Sequence, residues 1–114
     1  VVQLFSHCVD MDKEKLTMKV FNSFGYQYTK KNRYLGQGEN YWHPGYAWAI
    51  TRKAYEKING LYDKGILGSG DSIIAMSLIN KCSSINNVNY SKDYNNSMLE
   101  YQKLATASYI LISR

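Results

Sequence analysis

Three glycines and an aspartate form the run in this chain best suited to chemistry. Gly65, Gly68 and Gly70 lead into Asp71, which stands at the start of an apolar, helix-like stretch. Glycines remove side chains and let a ligand lie against the backbone. An aspartate at a helix N-terminus meets free N–H groups and the positive end of the helix dipole, and both favour its ionised form. A carboxylate held there accepts hydrogen bonds from sugar hydroxyls or removes a proton from one as a general base. It serves equally as an N-cap behind a flexible loop, and the residue types alone leave both roles open.

A second group surrounds the single proline, in Tyr41-Trp42-His43-Pro44-Gly45. Pro44 drives His43 out of the helical region and Gly45 permits a tight bend. His43 can donate to a sugar hydroxyl or a phosphate, or it can be a turn histidine satisfied by backbone. Trp42, in the turn, is expected to line a cleft and stack on a sugar ring. Trp48, in the following apolar run, is expected in the core. His7 reads as structural. Asp10-Met11-Asp12 has the spelling of a metal-binding Asp-x-Asp motif. A polar turn over Asp10–Lys13 after a first strand explains it without a metal, and no metal ligand is assigned in the chain.

The elements that must position these groups follow from pattern and capping signals. Val1–His7 reads as a strand. Lys15–Tyr28 fits both strand and helix periodicity, and Thr29–Asn40 reads as a loop. Tyr46–Ile50 is a short buried strand. Thr51 caps a helix over Arg52–Ile58 that Gly60 ends in the left-handed region. Asp71 caps a second helix from Ser72 to about Lys81. Its apolar set of Ile73, Ile74, Met76, Leu78 and Ile79 predicts deep burial. After an Asn- and Ser-rich loop, Ser91 caps a third helix through about Ala107, with Tyr94, Met98, Tyr101 and Leu104–Ala105 on one stripe. Tyr109–Ile112 is a last strand. The fold class is α/β, with a small mixed sheet flanked by helices.

With 114 residues the chain suits one domain or part of one. The net charge of +5 permits attraction to phosphates, and the densest basic cluster, Lys30, Lys31 and Arg33, reads as a solvated loop. No basic helix, aromatic nucleic-acid-binding strand or zinc spacing favours nucleic acid. Cys8 and Cys82 lack paired spacing and read as free thiols of a reducing compartment, hence a cytoplasmic location. No apolar run reaches the ~20 residues of a membrane span.

The order of elements between Trp42 and Asn80 resembles the C-terminal, acceptor-side half of GT-A type glycosyltransferases of the galactosyl- and N-acetylgalactosaminyl-transferase kind. The resemblance covers about a third of the chain. Gly45-Tyr46-Ala47-Trp48-Ala49-Ile50-Thr51-Arg52 matches the family's strand and Arg turn. Asn59-Gly60-Leu61-Tyr62-Asp63 matches its Gly-Gly-Phe-Asp element. Gly68-Ser69-Gly70-Asp71 matches its Gly-Gly-Glu-Asp element, with glycine where the family has glutamate.

The resemblance implies a partial GT-A-like subdomain within residues 1–114, the C-terminal half of a larger domain. It implies Asp71 as the catalytic carboxylate, with Trp42, His43, Gly45, Tyr46, Gly68, Ser69 and Gly70 against substrate. The partners it implies are a nucleotide-sugar donor and a carbohydrate or other hydroxyl acceptor. The missing N-terminal half would hold the donor and a divalent cation, Mn or Mg, with ligands outside this chain. A non-catalytic carbohydrate- or protein-binding module on the same subdomain is the alternative.

Overall fold

The computed structural model describes residues 1–34, 41–65, 68–85 and 89–106, and the backbone of 112–113. It is a mixed α/β protein with small sheets and helices. Its contacts divide it into two compact units. The sheet unit comprises Val2–Ala49 and Leu111–Arg114, and the helical unit comprises Ile50–Ile110 together with Val1.

In the sheet unit, β1 (Val2–Gln3) is the middle strand of a mixed sheet. It pairs antiparallel with β5 (Trp48–Ala49) and parallel with β6 (Ile112–Ser113). A second mixed sheet joins β2 (His7–Met11) antiparallel to β3 (Thr17–Ser23), and β3 parallel to β4 (Trp42–His43). The expected strand over Val1–His7 is therefore broken. Leu4–Ser6 leaves the first ladder, and His7 opens the hairpin with β3.

Asp10 and Met11 belong to that hairpin, paired with Lys19 and Thr17, and not to a turn as the sequence suggested. Only Asp12 begins the turn, where its Oδ1 accepts from the backbone N–H of Glu14 (3.0 Å) and of Leu16 (2.8 Å). The ambiguous Lys15–Tyr28 stretch resolves into β3 and then α1 (Phe24–Lys31), because Ser23 turns the chain. Its hydroxyl accepts from the Tyr26 N–H at 3.0 Å, which starts a helix. That helix overruns the expected Thr29–Asn40 loop as far as Asn32, whose left-handed backbone (φ 50°) ends it. Lys30 and Lys31 thus sit in a last helical turn, at the negative end of the dipole, instead of in a loop. Residues 35–40 lie outside the described residues.

The core of this unit is aromatic. Phe24 is fully buried, packed edge to face on Trp42 at 4.9 Å and parallel to Tyr28. Phe21 contacts Tyr41 and His43 in the same way.

The helical unit begins at α2 (Arg52–Lys57), capped by Thr51 Oγ1 accepting from the Ala54 N–H. Asn59 and Gly60 both take positive φ and end it, as the glycine predicted. Next come α3 (Gly70–Leu78), a short 3-10 turn over Cys82–Ser84 and α4 (Lys92–Thr106). α3 ends sooner than expected, since Asn80 enters the left-handed region and the Lys81 N–H returns to the Met76 carbonyl at 2.8 Å. α4 starts where Ser91 caps the Tyr94 N–H. The expected reach to residue 107 and the strand over 109–111 lie outside the described residues.

α3 packs on α4. Ile73, Ala75, Met76 and Leu78 of the first and Met98, Tyr101 and Ala105 of the second are buried, together with Ile58 and Cys82. Leu104, expected in the stripe, is exposed.

Tyr101 is 8% exposed and its hydroxyl donates to the Gly60 carbonyl. Burial pushes it up to about 12. A tyrosine whose folded value is raised contributes stability below the unfolded value, near 10, and loses it as pH climbs through the folded value. Between pH 10 and 12 the urea midpoint should fall, with Tyr101 contributing on the order of 2 kcal/mol. Tyr101→Phe should show a visibly shallower fall, and equal slopes would refute the assignment.

Candidate functional site

Gly68, alone of the three glycines of the run, lines a cleft in the helical unit, beside Lys64 and Ser69. Gly68 adopts φ +96°, and a Cβ placed there would meet nothing within 4 Å, so that face is open. Gly65 is tighter, because its Cβ would lie 3.0 Å from the Gly68 carbonyl oxygen and 3.4 Å from the Gly70 backbone. Ser69 follows with φ 65°, a left-handed conformation that a non-glycine residue holds at a cost of about 1 kcal/mol. Its carbonyl accepts from the Ile73 N–H and closes the first turn of α3.

The two glycines should therefore answer differently to alanine. Gly65→Ala forces backbone apart and lowers the melting temperature. Gly70 is the first residue of α3, without a positive φ and with its Cβ at an ordinary 3.5 Å from the Tyr62 carbonyl, so Gly70→Ala should raise stability by about 0.4–1 kcal/mol through the unfolded chain. Thermal melts of the two variants check this.

The opposite wall comes from the start of α4. The cleft, about 400 Å³, is lined by Lys64, Gly68 and Ser69 on one side and by Asn89, Tyr90, Ser91 and Tyr94 on the other. The Tyr90 and Tyr94 rings meet edge to face at 5.1 Å, and Tyr94 meets Tyr62 at 6.4 Å. Burial, then the neighbouring Tyr62 and Tyr90 hydroxyls, raise the Tyr94 phenol, so it stays a neutral donor and acceptor at physiological pH. Lys64 is exposed and pairs with no carboxylate among the described residues. Flat apolar rings rimmed by hydroxyls and one ammonium suit a polar ring-shaped ligand. Sequence reasoning missed Lys64, Tyr90 and Tyr94. The i, i+4 spacing of the two tyrosines across the Ser91 cap was the available signal.

Asp71 is the second residue of α3 and is not its N-cap. Ser69 holds the cap position, with no side-chain bond to the helix, because its left-handed backbone aims the hydroxyl elsewhere. Asp71 is half-buried and its Oδ1 accepts from the Ser72 N–H at 2.7 Å. Among the described residues its other oxygen has no partner. Gly68 and Ser69 line the cleft, while Gly70 and Asp71 lie in the helical turn that follows.

The remaining candidates, Trp42, His43, Gly45 and Tyr46, lie in the sheet unit. Trp42 is buried, which corrects the expectation that it lines a cleft. The parallel pairing of β4 on β3 sets its ring on Phe24, and its Nε1 donates to the Tyr34 carbonyl at 3.0 Å. Trp48, expected in the core, is half-buried and donates to the Pro44 carbonyl at 2.7 Å. His43 Nδ1 accepts from the Gly45 N–H at 3.1 Å, which places the ring proton on Nε2.

Tyr46 is exposed, in the left-handed region at φ 63°, and stacks on His43 with centroids 4.2 Å apart. The whole turn hangs on Gln3, which is fully buried and was not singled out from sequence. Its Nε2 faces the carbonyls of His43 (3.1 Å), Pro44 (3.3 Å) and Gly45 (3.3 Å), and its Oε1 accepts from the Gly25 N–H at 2.8 Å. One amide among Val1, Val2, Leu4 and Phe5 was the only signal.

Comparison of the chain with family models, with curated proteins and with solved structures finds no match in any of the three. Among the described residues no group of three His, Cys, Asp or Glu side chains is placed to hold a metal ion, and no helix is long and apolar enough to cross a membrane.

Proposed function

We propose that this chain is the acceptor-side part of a GT-A type glycosyltransferase, which transfers a sugar from a nucleotide-diphosphate donor to an acceptor hydroxyl. One observation carries the reading: a cleft lined by Lys64, Gly68 and Ser69 on one side and by Tyr90 and Tyr94 on the other lies beside the first turn of α3, where Asp71 stands. The order of the three motif elements from Gly45 to Asp71 supports it.

In the proposed step the acceptor oxygen attacks the anomeric carbon of the donor. The carbon–oxygen bond to the diphosphate breaks, and its electron pair leaves with the nucleoside diphosphate. The acceptor proton passes to Asp71, through the carboxylate oxygen not engaged by Ser72. The donor diphosphate and its Mn or Mg ion are assigned to residues outside this chain. Asp12 accepts two backbone N–H groups at Oδ1, which accounts for its place in the hairpin turn without a metal.

The product of the full reading frame should release nucleoside diphosphate from one member of a panel of uridine and guanosine diphosphate sugars, with Mn present and an acceptor added. The chain alone should bind those donors weakly or not at all, by calorimetry. A second reading, a non-catalytic saccharide-binding module, draws on Gly70 standing where the family has glutamate and on Asp71 lying outside the cleft lining. Saccharide binding by the full product, with no turnover of any donor, would favour it.

A further inference from the structure

The first cleft does not stand alone. A second, of about 180 Å³, lies in the helical unit between the Ile58–Lys64 segment and α4. Lys64 lines both. The tyrosines join them as well: Tyr90 meets Tyr94 at 5.1 Å, Tyr94 meets Tyr62 at 6.4 Å, and Tyr62 meets Tyr101 at 5.4 Å, all edge to face. The first two rings belong to the first cleft and the last two to the second.

The chemistry changes along this wall. The first cleft offers ring faces, serine hydroxyls and an ammonium. The second offers carboxylates, Asp63 and Glu100, over a floor where Tyr62 is hydrogen-bonded to Ser97 at 2.7 Å. Neither carboxylate is paired with a cation among the described residues. Exposed carboxylates beside a cleft are acceptors for hydroxyl groups. A ligand site proper holds roughly 300–1,000 Å³, a size the first cleft reaches and the second does not, and the two share Lys64 in their linings.

We propose that the helical unit takes a disaccharide end, with one ring against Tyr90 and Tyr94 and the next ring's hydroxyls on Asp63 and Glu100, Lys64 lying at the join. This rests on the saccharide reading of the cleft and adds the length of the ligand to it.

The test uses the whole chain and calorimetry or amide-shift titration. The probes are glucose, galactose and N-acetylglucosamine, set against cellobiose, lactose and diacetylchitobiose. At least one disaccharide should bind about tenfold or more tightly than its component sugars, the gain expected from charge-assisted hydrogen bonds to the second ring. Glu100→Gln, on an exposed helix position, should remove most of that gain and leave monosaccharide binding unchanged. Tyr90→Ala should weaken both classes severalfold. Circular dichroism of each variant reports folding.

Equal binding of mono- and disaccharides, binding of neither, or indifference of the disaccharide to Glu100→Gln overturns the proposal. Turnover on monosaccharide acceptors as efficient as on disaccharides would also overturn it while leaving the transferase reading in place. Tight disaccharide binding without turnover of any donor would do the reverse.

Discussion

Asp71→Asn is expected to lower sugar transfer by at least about a hundredfold in the product of the full reading frame, the lower end of what a general base contributes. The substitution is nearly isosteric. Its side-chain oxygen still accepts from the Ser72 N–H, so the first turn of α3 keeps that bond. No cap is lost, because the cap position belongs to Ser69. The stability cost is limited to the charge–dipole attraction of a first-turn carboxylate, about 0.3–1 kcal/mol. Donor binding should hardly change. Asp71→Ala is the control: it loses the Ser72 bond as well, so it should match the activity loss and melt lower. Transfer rate, donor affinity and melting temperature measured side by side separate these effects. Near-normal turnover in Asp71→Asn would remove the base and leave the glycine cleft as a binding site only.

Gln3→Glu should destabilise the sheet unit by about 3–5 kcal/mol at neutral pH, the scale of an uncompensated buried charge. Gln3 is fully buried and presents N–H donors to three carbonyl oxygens. A carboxylate there sets oxygen against oxygen in a site closed to bulk solvent. The protonated acid keeps one donor, so the folded state raises this carboxyl's value. Its neutral form is then available below the unfolded value, near 4.3, and stability is lost as pH rises above it. Urea denaturation at pH 4 and pH 7 should show the variant recovering part of its deficit at the lower pH, relative to the parent. Gln3→Leu removes the donor at every pH and should show no such recovery. A variant that melts like the parent at pH 7 would mean that the Gln3 amide does not hold the His43–Gly45 turn.

Where the sequence was legible, the cause was local. Thr51 with Gly60, and Ser91 before an apolar stripe, fix helix ends through bonds spanning three or four residues, and both helices stand where those signals put them. Ser23 and Asn32 carry the same kind of signal for α1, yet the alternating pattern of β3 running directly into the helix obscured it. The positions of Trp42 and Trp48 depend on which strand pairs with which, and β4 pairing parallel to β3 is not written in either segment. The cleft is similar. Gly68 and Ser69 were recognisable as a loop at a helix mouth, but Tyr90 and Tyr94 reach it only because α4 packs across α3. The expected start of α3 at Ser72 falls two positions late because glycine seldom begins a helix, and here Gly70 does.

Val2 sits between Ala49 on one side and Ile112 on the other. Adjacent strands lie 4.7–4.9 Å apart, so the chain departs after Ala49 and returns at Ile112 across a gap of about 10 Å. In sequence, the Ile50–Ile110 segment therefore lies between two strands, β5 and β6, that flank β1 in one sheet. Three or four extended residues, at roughly 3.3 Å each, would span that gap. A bridge of that length in place of Ile50–Ile110 is expected to keep the strand order β5, β1, β6, and amide exchange of the shortened chain checks it.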